Sequence, residues 1–201
     1  MFDVLIIGGG VSGISCALVL GSAKNKNFAS DKKIGILTHQ KSSSLQDALF
    51  NNAYGIPAGK LGSELLIEST EHLSTMYPHI TQIPNEKVIA IEGEAPNFTV
   101  ITNKNSYQTK IIVIGIGSAN TFAIDGLLQY VIPHQKALPE KQRIQLSNND
   151  HKVTEGIYAI GTLAGWRSQL AIAAGSGAAV ATDILTLWNN GTPTHAHDSI
   201  R

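Results

Sequence analysis

The chain has 201 residues, 43% of them hydrophobic and 15% charged, with Lys+Arg and Asp+Glu equal at 15 each. That length suits one domain with a core that needs no staples, and the composition excludes a disordered chain. Zero formal charge argues against a dedicated nucleic-acid binder, and the single cysteine, Cys16, excludes an internal disulfide.

Residues 3–7, "DVLII", read as a buried parallel strand that stops at glycines. Val11 to about Ala23 favours helix, and "KKIGIL" at 32–37 is the next strand, so the opening forms a βαβ unit. Residues 41–59 are rich in Ser, Asn, Gly and Pro and read as a long loop with one helical turn. Leu61, Leu65, Leu66, Leu73 and Met76 recur at near-helical spacing, and Pro78 ends that helix. The period then changes. "KVIAIEG" (87–93), "NFTVIT" (97–102) and "SYQTKIIVIG" (106–115) predict an antiparallel meander with turns at "EAP" and "NKN".

Residues 119–155 are weakly patterned, with strand character in "QYVIP" and "RIQLS". "GIYAIGTLAG" repeats the theme of a buried strand with a glycine exit, and a helix of about 20 residues follows to Trp188. That helix is the most apolar stretch, but Gln169, Ser176 and Asp183 interrupt it. No run reaches the ~18 unbroken apolar residues of a membrane span, so a packed helix is expected and no membrane partner. The expectation is one domain over 1–190, a flexible tail over 191–201, no basic or apolar leader, and a cytoplasmic location. Low charge density also leaves a homodimer open.

Gly8, Gly10 and Gly13 match G-x-G-x-x-G between a strand and a helix, the context that gives this pattern meaning. The three glycines permit the tight turn, the approach of a pyrophosphate, and close helix–strand packing. The N–H groups of Val11, Ser12 and Gly13 then face a diphosphate. The acid expected at the end of the second strand is absent; Leu37 is followed by Thr38, His39 and Gln40. Thr38 or His39 offers a neutral hydrogen bond instead. Lys41 is either solvated loop charge or a partner for a 2′-phosphate, as in an NADP site.

With these segments in order, the chain resembles the FAD-binding half of the thioredoxin reductase family. "FDVLIIGGGVSGISCALVL" matches the opening FAD fingerprint. "NNAYGIPAG" is similar to the Asn-x-Pro-Gly-Phe-Pro loop through Asn52, Gly55 and Pro57, with Tyr54 and Ile56 as departures. "IIVIGIGS" matches the strand usually written Ala-Thr-Gly-Ser/Ala, "GIYAIGTLAG" the late Gly-Asp segment, and "QLAIAAGSGAAVATDIL" the closing helix. The resemblance implies an α/β, Rossmann-like FAD/NAD(P)-binding domain. Its central parallel sheet carries helices on one side and an antiparallel β-meander on the other. It implies FAD as cofactor, with the adenine-side diphosphate at the first turn and the ribityl and flavin side at the late one. The cofactor-binding set it implies is Gly8, Gly10, Val11, Ser12, Gly13, Thr38, His39, Asn52, Val88, Ile116, Gly117, Gly161, Thr162, Gln169 and Leu170.

The departures from that family are specific. Its inserted NADPH domain and its Cys-x-x-Cys pair are absent, which excludes thioredoxin reduction in the family's manner. Thr38 and Thr162 replace the two acids that hold FAD there. Electrons must then come from free NAD(P)H, an external reductase or a partner protein. A non-catalytic FAD module and an NAD(P)-only Rossmann protein stay open, and no catalytic residue is assigned. Gln169 and Leu170 begin a helix whose dipole favours a reduced, anionic flavin. Tyr54 and Trp166 read as flavin walls or as packing, and Cys16 as a buried inert thiol. His134 is a proton donor or an ordinary loop residue, and His195 and His197 are two tail histidines without a third metal ligand.

Overall fold

The computed structural model describes residues 1–39 and 43–197. Thirteen strands are present among them: β1 (Val4–Ile7), β2 (Ile34–Leu37), β3 (Leu49–Phe50), β4 (Lys60–Leu61), β5 (Thr81–Ile83), β6 (Val88–Glu94), β7 (Asn97–Thr102), β8 (Ser106–Thr109), β9 (Ile112–Ile114), β10 (Val131–Pro133), β11 (Ile144–Leu146), β12 (Lys152–Thr154) and β13 (Ile157–Ala159). Three α-helices accompany them: α1 (Val11–Ser22), α2 (Gly62–Met76) and α3 (Leu170–Trp188). The central sheet runs β12-β13-β9-β1-β2-β5. Every pair in it is parallel except β12 with β13.

All four side chains of β1 are buried because the sheet is covered on both faces. Alternation assigns them. Val4 and Ile6 pack with Cys16, Leu20, Val180 and Ile184 on the helical face. Leu5 and Ile7 pack with Ile91, Phe98 and Val100 of the meander β6-β7-β8. The expected layers, helices on one side and meander on the other, are therefore present.

α1 and α3 touch backbone to backbone. A Cβ on Gly177 would stand 1.9 Å from Ser12 O and 3.0 Å from Cys16 N, so only glycine permits this crossing. Ser15 Oγ donates to Ala174 O at 2.8 Å beside it. By length and composition α3 is apolar enough to cross a membrane. Its Val180, Ala181, Ile184 and Leu185 are fully buried in the core.

Several details differ from the sequence reading. The run 106–115 is two strands: β8 closes the meander at Thr109 and β9 enters the parallel sheet at Ile112. The junction is fixed by Thr109 Oγ1 donating to Ile111 O (2.8 Å) and by Lys110 Nζ on Asp3 (2.9 Å). Residues 43–61 are not one loop, since β3 and β4 pair as a short ribbon. β5 and β12 are unforeseen edge strands of three residues each. β10 and β11 pair with each other, Val131 opposite Leu146. Between β9 and β10 lies a single 3-10 turn, Leu128–Tyr130, and no strand–helix–strand unit. The expected loose tail is tied back as far as Thr194, whose N–H donates to Thr186 Oγ1 at 3.0 Å and whose hydroxyl accepts from Asn189 at 2.8 Å.

Candidate functional site

Parallel neighbours end on the same edge of a sheet. The exits of β1, β2, β9 and β13 therefore share one rim, and they bring together residues far apart in sequence. Gly8 follows β1 at φ +119°, and a Cβ there would lie 2.5 Å from Gly115 O at the end of β9. Gly13 lets α1 sit on that turn, since a Cβ would lie 1.8 Å from Gly8 O. Gly161 follows β13 at φ +64°, and its Cβ position is 2.9 Å from Ser12 Oγ. A Cβ on Gly115 would be 2.8 Å from that same oxygen. Three strand exits thus close around Ser12, the second residue of α1.

Gly10 is different. Its backbone is extended (φ −79°, ψ −175°), a conformation open to any residue, and its nearest neighbour is Ser43 Oγ at 3.9 Å. Nothing among the described residues requires glycine there. The empty space beside it is what a diphosphate approaching the backbone needs. Ile14 N–H, donating to Gly10 O at 2.9 Å, begins the helical ladder, so the N–H groups before it point out of the helix end. The first turns of both α1 and α3 contain no acidic residue that would repel a phosphate.

Thr38 and His39 extend β2 on the same rim. Thr38 is buried, its N–H donating to Ile83 O at 2.9 Å. His39 Nδ1 is buried and has no hydrogen-bond partner among the described residues, an unmet polar atom where the fold would place a ribose hydroxyl. These observations fit a dinucleotide: room at Gly10, open N–H groups at the α1 terminus, and a neutral polar residue with an unused nitrogen beyond β2. Gln40 and Lys41 lie outside the described residues.

The rest of the expected set divides. Ile116 and Gly117 are exposed beyond β9, Gly117 at φ +83° with nothing within 4 Å of its Cβ position. Thr162 sits in the 3-10 turn Gly161–Ala164, half-buried. Gln169 caps α3 with its carbonyl accepting from Ala173 N–H at 2.9 Å, and Leu170 is the first helical residue. Val88 has its side chain buried in the same core cluster as Leu37 and Ile83. Asn52 and Tyr54 are exposed on the loop between β3 and β4, and no contact ties either to the glycine turns among the described residues.

Other candidates have structural partners. Trp166 carries the Lys136 ammonium 4.3 Å from its ring centre and has the His151 ring 6.0 Å away, so it packs against the neighbouring segments after β10 and before β12. His134 Nδ1 accepts from Lys136 N–H at 3.1 Å and thereby shapes the turn after β10. Burial drives the Cys16 thiol pKa far up, which keeps it protonated and inert. His195 and His197 pair with each other, 4.6 Å between ring centres. No group of three metal-ligating side chains exists among the described residues. Two residues that the sequence reading passed over, His151 and Ser176, are buried directly behind the β13 exit. Ser176 sits in the small-residue run "AAGSG", and His151 follows the turn-forming "SNND"; only that second signal was available in sequence.

Comparison with known proteins follows the same lines. The family model described as pyridine nucleotide-disulphide oxidoreductase matches residues 2–162. No curated protein matches the sequence. Among solved structures, a thioredoxin reductase from Gloeobacter violaceus superposes with TM-score 0.72 at 14% identity, covering 100% of this chain and 99% of that one. An oxidoreductase from Agrobacterium tumefaciens gives 0.69 at 15% identity, covering 92% and 98%. A ferredoxin-flavin thioredoxin reductase from Clostridium acetobutylicum gives 0.68 at 18% identity, covering 94% and 98%. At such identities the likeness is one of fold.

Proposed function

We propose a function from one premise: the chain belongs to the pyridine nucleotide-disulphide oxidoreductase family. Members of this family are FAD-binding oxidoreductases that draw electrons from NAD(P)H or ferredoxin-type donors. This chain corresponds to the FAD-binding part alone. In our reading it is a small flavoprotein oxidoreductase, acting in the cytoplasm, whose electrons come from outside the chain. The donor is a free pyridine nucleotide or a separate reductase.

The observation that carries this reading is the meeting of the β1 and β13 exits at Ser12, with Gly10 left open beside them. One glycine turn suffices for a mononucleotide half. An extended dinucleotide needs a second point of attachment, and Gly161–Thr162 supplies it on the same rim. FAD, when bound, supplies the two-electron chemistry. The chain's own residues bind and orient. The α1 terminus offers N–H donors to the diphosphate, and Thr38 or His39 gives a neutral contact to the adenosine ribose. Thr162 gives a hydroxyl without adding negative charge, and the α3 terminus presents positive dipole at Gln169 and Leu170. Thiol–disulphide exchange is not available, because Cys16 is the sole cysteine and is buried.

The test is a visible spectrum of the purified chain incubated with FAD, followed by stopped-flow mixing with NADH, NADPH and reduced ferredoxin. The expected result is a yellow protein reduced by at least one donor. A colourless protein that binds NAD(P) alone would overturn the cofactor reading. A yellow protein that none of the donors reduces would favour the second reading, a non-catalytic FAD module. The absence of a paired cysteine and of an acid–base cluster on the described rim speaks for that alternative.

A further inference from the structure

The turn after β13 is held from behind by side chains outside every motif discussed above. Gly161 N–H donates to Ser176 Oγ at 2.8 Å, both groups being buried. His151 Nδ1 lies 2.9 Å from Ala159 O and 3.5 Å from Ser176 Oγ. A carbonyl only accepts, so Nδ1 carries a proton and donates it to Ala159 O. The His151 backbone closes the same link, its carbonyl accepting from Ala159 N–H at 2.8 Å. Asn148 completes the bracket. Its Oδ1 accepts from His151 N–H (3.1 Å), and its Nδ2 donates to Leu146 O (2.7 Å) and Ala164 O (3.2 Å). One short turn, 148–151, therefore grips the segment 159–164 at Ala159 and at Ala164, while Ser176 of α3 holds Gly161 between them.

His151 stands there at a cost. Its φ is +73°, a region that favours glycine or asparagine, and Asp150 before it is at +46°. A buried histidine in that conformation persists only where its surroundings over-determine it, and such residues gather at functional sites.

We infer that Ser176 and His151 are positioning residues of the second cofactor turn, an inference that rests on the FAD reading above. Together they draw the Gly161 N–H and the Ala159 carbonyl inward. The peptide before Gly161 is then fixed, and the bare Cα of Gly161 faces Ser12 and the first turn. Neither side chain touches the cofactor in this scheme. Each acts through Gly161.

His151 also lines a polar pocket of about 220 Å³ with Gln145, Asp150, Gly165 and Trp166, which makes the proposal separable from a plain packing role. His151→Gly relieves the left-handed backbone and leaves a ring-shaped gap open to that pocket. Added imidazole can enter it.

The experiment measures the FAD dissociation constant by fluorescence quenching, alongside hydrogen exchange at the Gly161 amide in the cofactor-free chain. Ser176→Ala is expected to speed Gly161 exchange and to weaken FAD roughly five- to tenfold, the scale of one buried hydrogen bond. His151→Gly is expected to weaken FAD similarly, and imidazole to restore most of the loss in His151→Gly and none in Ser176→Ala. Wild-type affinity in both variants would overturn the inference, as would imidazole acting equally on both. A wild-type chain that takes up no FAD would instead overturn the proposed function, and this inference with it.

Discussion

The two glycine turns on the rim are built by different means. At Gly8–Gly13 the backbone does the holding. Gly13 packs against Gly8 O and Gly8 against Gly115 O, and no side-chain hydrogen bond caps the helix among the described residues. At Gly161–Gly165 side chains do it, through Ser176, His151 and Asn148. A turn defined by absent side chains leaves a pattern of glycines that can be read in one sequence. A turn defined by distant side chains leaves almost none.

Alanine substitutions can break this contrast, and the largest effect is expected at Gly13. A methyl there meets a main-chain oxygen that cannot move aside, so Gly13→Ala should cost about 3 kcal/mol or more in urea denaturation, or prevent folding. Gly161→Ala should cost less, about 1–2 kcal/mol for an L-residue at positive φ. The atom nearest its methyl is the Ser12 hydroxyl, which can rotate. Equal losses at the two sites would show that the second turn is as backbone-determined as the first.

Gly10→Ala sharpens the comparison from the other side. Its methyl enters open space, so stability should change by less than about 0.5 kcal/mol. FAD affinity should fall by about tenfold or more, equivalent to ~1.4 kcal/mol. A loss of stability without a loss of affinity would make Gly10 a structural residue like Gly13.

The smallest effect lies away from both turns and serves as their control. Glu86, at the foot of the meander, accepts from Thr102 (2.6 Å), Tyr107 (2.9 Å) and Asn105 (2.8 Å). The Thr102 hydroxyl above all, then the Tyr107 hydroxyl and the Asn105 side-chain amide, favours the carboxylate and outweighs desolvation, holding its pKa below the ordinary glutamate value. A carboxylate depressed in the folded state contributes stability above its unfolded pKa, and this is lost as pH falls through the folded value. Urea midpoints should therefore decline below about pH 4.5, and Glu86→Gln should flatten that part of the decline. FAD affinity at neutral pH should be unchanged by this variant, because the meander supports the sheet and not the rim.

Legibility in sequence follows the same division. β1, α1 and β2 were plain because a buried apolar run, three glycines and a second run leave few other packings. α3 was plain from its length. β5 and β12 escaped because a three-residue edge strand buries too little to impose a pattern; Ile83 is the one buried residue of β5. The ribbon β3–β4 was hidden by exposed Leu49 and Leu61, which alternate with nothing. On the rim, Gly8, Gly13 and Gly161 could be read, since each answers a backbone demand. His151 could not, because its partner is the carbonyl of Ala159, and a carbonyl has no letter in the sequence. Val88 was named from the family resemblance alone, and the burial of its side chain leaves only its backbone to face a ligand.

The crossing of α3 over α1 has a consequence for how the chain comes to exist. The first glycine turn is local in sequence, yet the helix it opens is crossed by the distant backbone of Gly177. Strands drawn from residues 4, 112 and 157 must lie side by side before that helix can settle. Contacts of such long sequence separation form slowly, after the loops between them have closed. The glycine motif is therefore complete in itself, whereas the site around it needs α3 docked on α1.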